Sequence, residues 1–192
     1  EIQDFNDSTI WSIAEDKNKN LWIGTAGKIF ELNNYTVVRT IELEDKKRAA
    51  SRLFVDSDGD VWYWIRDKGL FCIINEKIYN IGEKTQLENY AVRSIYEDKQ
   101  KNVWVCTYGG VFCFYNNFIM NFNRKDGLSN NDINSICSLD DEGCLAGTSN
   151  GLNIIRNENV KIITTDGDSS LILRVAKIKE TYPGTYLISG GS

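Results

Sequence analysis

An internal repeat constrains this chain more than any other feature of its sequence. Ile13-Ala14-Glu15-Asp16-Lys17-Asn18-Lys19-Asn20-Leu21-Trp22-Ile23-Gly24-Thr25 aligns without a gap on Ile95-Tyr96-Glu97-Asp98-Lys99-Gln100-Lys101-Asn102-Val103-Trp104-Val105-Cys106-Thr107. Further copies run over residues 53–62 and 136–148, and a degenerate fifth begins at Val175 and reaches Ser189. With Trp22, Trp62, Trp104, Leu145 and Leu187 as the equivalent position, the steps are 40, 42, 41 and 42 residues. A unit repeated at such a period buries its apolar surface by stacking on its neighbours, so the repeat is the architecture.

The period alone suits propeller blades or helical repeats, and strand chemistry decides between them. Leu21-Trp22-Ile23, Val103-Trp104-Val105 and Gly110-Val111-Phe112-Cys113-Phe114 are short runs rich in β-branched and aromatic residues, bounded by turn-forming clusters. No window places apolar residues at i, i+3, i+4 and i+7 over the length a helix pair needs. One repeat reads as strand A over 9–15, a turn at 16–20, strand B over 21–25, a turn at 26–28, strand C over 29–32 and strand D over 35–41. Asp58-Gly59 and Glu142-Gly143 are expected to supply left-handed residues to the A–B turns. The expected fold is all-β, a propeller of four-stranded antiparallel blades with repeats at about 8–47, 48–87, 88–129, 130–170 and an incomplete 171–192. The 192 residues are expected to form a single, partial propeller of about four and a half blades, the alternative being a closed five-bladed form in which residues 1–5 complete the last blade; whole propellers have about 4 to 8.

Composition removes whole classes of function. There is no histidine, so no histidine general base, Ser-His-Asp triad or His-ligated metal is expected. No metal or other cofactor is expected. The formal net charge of -5 opposes attraction to nucleic acid. No run reaches the ~18 consecutive apolar residues of a membrane span, so direct membrane insertion is not expected. Five cysteines, an odd number without a C-x-x-C spacing, leave at least one unpaired within the chain, and most read as small buried strand residues.

The combination of a Glu-Asp pair, a polar turn, an aliphatic-Trp-Ile-Gly-Thr strand and a Gly-aliphatic pair resembles the two-component regulator propeller repeat. Glu15-Asp16 with residues 21–25, Glu97-Asp98 with residues 103–107, and Gly147-Thr148-Ser149-Asn150-Gly151-Leu152 carry it. Trp64-Ile65 stands for Gly-Thr in the second copy, and Leu145-Ala146 for Trp-Ile in the fourth. The resemblance implies a periplasmic sensor propeller, part of an inner-membrane-anchored receptor of the hybrid two-component systems of Bacteroidetes, detecting glycan breakdown products. It further implies as partners the remaining blades, a downstream immunoglobulin-like domain and an oligosaccharide or other small ligand. A homodimer is a further expected partner.

Residues that recur once per blade are expected to hold the wheel together. Trp22, Trp62 and Trp104 read as packing between blades, Gly24 and Gly147 as part of the repeat, and Asp16, Asp56 and Asp98 as turn residues. Ligand contacts should come from what does not recur. D–A connections and B–C turns open on one face of a propeller, and there the aligned positions carry Trp11, Arg52, Arg66, Arg93, Tyr108 and Asn134. Aromatic rings can cover a sugar's apolar face while Arg and Asn bond its hydroxyls or carboxylate. The expected function is a non-catalytic sensor segment with no catalytic residue, any kinase residing elsewhere in the full-length protein. The alternatives are a lyase-like or other propeller enzyme and a protein-interaction scaffold. Asp140-Asp141-Glu142 offers carboxylates, but in an A–B turn on the opposite face.

Overall fold

A computed structural model describes residues 9–85, 87–115, 118–139, 143–163 and 174–191. It is all-β, and the strands fall into consecutive antiparallel sheets in chain order. The chain divides into two compact units, Glu1–Ala91 and Val92–Ser192.

Unit 1 holds two four-stranded sheets. The first contains β1 (Ser12–Glu15), β2 (Leu21–Gly24), β3 (Lys28–Asn33) and β4 (Thr36–Glu42); the second contains β5 (Ala50–Val55), β6 (Val61–Ile65), β7 (Gly69–Ile74) and β8 (Lys77–Asn80). The inner strands are buried on both sides, as β6 shows with five buried residues in a row, while β4 alternates between exposed and half-buried. That gradient separates a stacked strand from one at the rim. Between the two sheets lies a core of Trp22, Ile29 and Leu43 against Ala50, Val61, Tyr63 and Ile73. Tyr63 and Phe71 stack within it at 5.2 Å between ring centroids.

Unit 2 holds a third sheet of β9 (Val92–Glu97), β10 (Val103–Thr107), β11 (Gly110–Tyr115) and β12 (Phe118–Phe122). A fourth contains β13 (Ile133–Leu139), β14 (Gly143–Thr148), β15 (Gly151–Arg156) and β16 (Asn159–Ile163), and β17 (Arg174–Tyr182) pairs with β18 (Thr185–Gly191) alone. Trp104, Val111 and Phe122 pack on Ile133, Cys144, Ala146 and Ile155, and on the other side of the fourth sheet Leu145 packs on Val175 and Ile178. Cys72, Cys106, Cys113 and Cys144 are buried and Cys137 is half-buried; none is in a disulfide. Burial pushes the Cys106 and Cys113 thiols up to about 12, so they are protonated apolar filling rather than nucleophiles.

Strand ends depart from the sequence expectation in detail. Strand A of the first sheet begins at Ser12 rather than residue 9. Gly59 is left-handed at φ 93°, as expected for its turn, whereas Gly143 is not. A Cβ on Gly143 would sit 2.5 Å from the Ile155 carbonyl oxygen, so glycine is needed there for close approach. In the first and third sheets Lys19 and Lys101 take the left-handed turn position, at φ 67° and 66°. The carboxylates Asp140, Asp141 and Glu142 lie outside the described residues.

Candidate functional site

Two hydrogen-bonded devices recur and hold the turns in place. At one end of three sheets, an aspartate carboxylate ties the A–B turn to the strand B tryptophan six residues on. Asp98 accepts from the Gln100 and Asn102 backbone N–H groups, each at 2.9 Å, and from Trp104 Nε1 at 2.8 Å. Asp56 does the same with Asp58, Asp60 and Trp62 Nε1, the last at 2.8 Å, and Asp16 with Asn18, Asn20 and Trp22 Nε1, the last at 3.3 Å. Burial pushes the Asp16 carboxyl up, but the hydrogen bonds from Asn20, Trp22 and Asn18 outweigh it and hold it below its ordinary value. The fourth sheet has Leu139 and Leu145 in these two places, so donor and acceptor are replaced together by apolar groups.

At the opposite end the strand B threonine clamps the B–C turn. Thr107 Oγ1 donates to Gly110 O at 2.8 Å and accepts from Gly109 N at 2.9 Å; Thr148 Oγ1 pairs in the same way with Gly151 O and Asn150 N, each at 3.0 Å. Thr25 Oγ1 donates to Lys28 O at 3.1 Å. These fully buried threonines explain the Gly-Thr of the repeat, and they fix the turns that present Tyr108 and Ser149.

In unit 2 the fold brings Arg93, Tyr108 and Asn134 into one network. The Arg93 guanidinium lies 4.3 Å from the Tyr108 ring centroid, and its Nη2 donates to Asp132 Oδ1 at 3.1 Å. Ser149 Oγ donates to Asp132 Oδ2 at 2.5 Å, and Asn134 Nδ2 donates to Ser149 Oγ at 3.3 Å and to the Val175 carbonyl at 3.0 Å. Asn134 Oδ1 is buried without a hydrogen-bond partner among the described residues. Beside it, Ser129 and the fully buried Asn153 bolt the connection preceding β13: Ser129 N donates to Asn153 Oδ1 at 2.9 Å and Asn153 Nδ2 to Ser129 Oγ at 2.9 Å. Asp132 and Ser149 were not among the residues expected from sequence. Asp132 reaches Arg93 across 39 residues, a separation that only the folded connection closes.

Unit 1 carries Trp11, Arg52 and Arg66. Register places them at one end of its two sheets: Trp11 N donates to Gly24 O, Ser12 Oγ donates to Ala50 O, and Ala50 pairs with Ile65, the residue before Arg66. Trp11 is 56% exposed. Arg52 Nη1 donates to the Ser51 carbonyl at 2.7 Å, and Arg66 is exposed. Among the described residues no group of His, Cys, Asp and Glu side chains is arranged to hold a metal ion, and no helix is long and apolar enough to cross a membrane.

The sequence profile of the two component regulator propeller matches residues 4–27 and 86–109. Among curated proteins none matches. Solved structures resemble the chain at the level of fold. The extracellular domain of a hybrid two component system from B. thetaiotaomicron is 22% identical, with a TM-score of 0.70 over 99% of this chain and 27% of that one. A second such domain from the same organism is 20% identical, with a TM-score of 0.68 over 95% of this chain and 25% of that one. A catalytically inactive virginiamycin B lyase from Staphylococcus aureus, bound to quinupristin, is 16% identical, with a TM-score of 0.67 over 95% of this chain and 63% of that one. The chain thus spans about a quarter of the length of the extracellular domains it resembles. With phased four-stranded sheets, this likeness makes the fold a β-propeller, and two of its repeats match the two component regulator propeller profile.

Proposed function

We propose that this chain is a ligand-binding segment of a periplasmic sensor propeller, without catalysis of its own, in an inner-membrane-anchored two-component receptor. The observation that carries the reading is the likeness over 99% of the chain to an extracellular domain of a hybrid two component system, joined to two copies of the matching repeat. In this reading the chain is one stretch of a single larger propeller, its partners are the remaining blades and an immunoglobulin-like domain that follows, and the receptor works as a homodimer.

The ligand is an oligosaccharide or another small hydroxyl-bearing molecule, held where strand A begins and the B–C turns end. The Arg93 charge faces the Asp132 carboxylate at 3.1 Å, which favours a neutral ligand over a highly anionic one. Tyr108, 53% exposed beneath Arg93, offers a ring face to a sugar. In unit 1, Trp11 offers another.

A lyase is the second reading, favoured by the likeness to virginiamycin B lyase. That enzyme's inactive form carries a histidine-to-alanine substitution, and the present 192 residues contain no histidine. Calorimetric titration of the chain with a panel of neutral and uronic oligosaccharides, repeated on Trp11→Ala and Arg93→Ala, tests the sensor reading. Binding without turnover, weakened at least about tenfold in one variant, supports it. Affinity unchanged in both variants removes this face, and new reducing ends or unsaturated products favour the lyase.

A further inference from the structure

A cavity of about 270 Å³ opens in unit 2 between the third and fourth sheets, at the end opposite Tyr108 and the B–C turns. Gly143 of β14 and Trp104 of β10 are both among its lining residues. In the apolar lining, Trp104 and Phe122 stack with centroids 6.2 Å apart and planes 23° apart, and Trp104 Nε1 donates to Asp98 Oδ2. Met120 and Ile155 complete it, and Tyr115, 45% exposed, stands among the lining residues. Arg156 and Glu158, both exposed, bring opposite charges to the same cavity.

We propose that this cavity binds a small zwitterionic molecule with an aromatic ring, of the chemical class of a free aromatic amino acid. A dry apolar cavity of about 150 Å³ holds one benzene ring, so 270 Å³ takes a ring together with a short polar tail. The ring enters against Trp104, Phe122 and Met120, where burial of apolar area drives binding. The tail stays at the mouth, its ammonium on the Glu158 carboxylate and its carboxylate on Arg156. A guanidinium has five N–H donors, so Arg156 can serve a ligand as well as its partners within the protein. The site is separate from the sugar face and needs none of its residues.

The test is saturation-transfer NMR and calorimetry of the chain with L-phenylalanine and L-tryptophan, with phenethylamine and 3-phenylpropionate as singly charged analogues. Three variants accompany them: Met120→Trp, which fills the cavity, and Arg156→Gln and Glu158→Gln, whose exposed side chains can change without disturbing the core. The expected result is saturable binding of an amino acid, at least about tenfold tighter than either analogue, abolished by Met120→Trp and weakened several-fold by each charge variant. No saturation transfer from either amino acid at about 10 mM overturns the proposal, as does binding that survives Met120→Trp or is matched by an analogue. If Met120→Trp does not fold, the two charge variants decide: unchanged affinity in both overturns it.

Discussion

The third and fourth sheets do the same job with opposite chemistry. In the third, the Asp98 carboxylate accepts Trp104 Nε1 and two turn N–H groups, and both side chains are buried. In the fourth, Leu139 and Leu145 take those two places and pack on Val175 and Ile178 of the next strand pair. Either solution satisfies the blade. A buried polar pair is costly only when half of it is removed, and an apolar pair never incurs that risk. The polar version adds direction, because the carboxylate fixes the turn and the indole together, and this suits a position that must recur in register.

The largest expected effect breaks one half of the polar pair. Asp98→Leu leaves Trp104 Nε1 and the Gln100 and Asn102 N–H groups without their acceptor, and urea unfolding is expected to show a loss of about 3 kcal/mol. A smaller, sharper effect follows from the fourth sheet's precedent. When Trp104→Leu is added to Asp98→Leu, the double variant is expected to be more stable than the sum of the singles by about 1–2 kcal/mol in a double-mutant cycle. Additive losses would mean that the two residues act independently and that the joint replacement in the fourth sheet is coincidence.

Next in size comes pH. Asp16 is held below its ordinary pKa in the folded chain, so its ionised form stabilises unit 1 above the ordinary carboxylate value, and this contribution is lost as pH falls through the folded pKa. Wild type is expected to exceed Asp16→Asn in urea midpoint at about pH 6, with the gap closing towards about pH 2. A gap independent of pH would show that the charge plays no part. The smallest effect belongs to the network that does not recur. Arg93→Ala removes a half-exposed ion pair and a ring contact, and thermal melting is expected to register less than about 1 kcal/mol.

The comparison also explains what the sequence made legible. The period and the strand chemistry were enough for the propeller, because each copy repeats the same alternation of β-formers and turn residues. The Asp-Trp link is also present, as a six-residue spacing kept in three copies and lost at both positions in the fourth, but a packing role for the tryptophan and a turn role for the aspartate each account for the recurrence alone. Arg93, Tyr108 and Asn134 could be placed at one end of the strands by register. Their partners could not: Asp132 lies on a connection whose path is set by Asn153 and Ser129, and the cavity beside Trp104 is lined by residues of two sheets.

The central claim is that recurring residues hold the blades while non-recurring ones meet the ligand. Its most direct test measures melting temperature and affinity side by side on Asp98→Leu and Arg93→Ala, with whichever neutral oligosaccharide of the panel binds the wild-type chain. Asp98→Leu is expected to melt several degrees lower yet bind with wild-type affinity below its melting point, and Arg93→Ala to melt normally and bind at least about tenfold more weakly. The reverse pattern, or a panel in which no oligosaccharide binds at all, would contradict it.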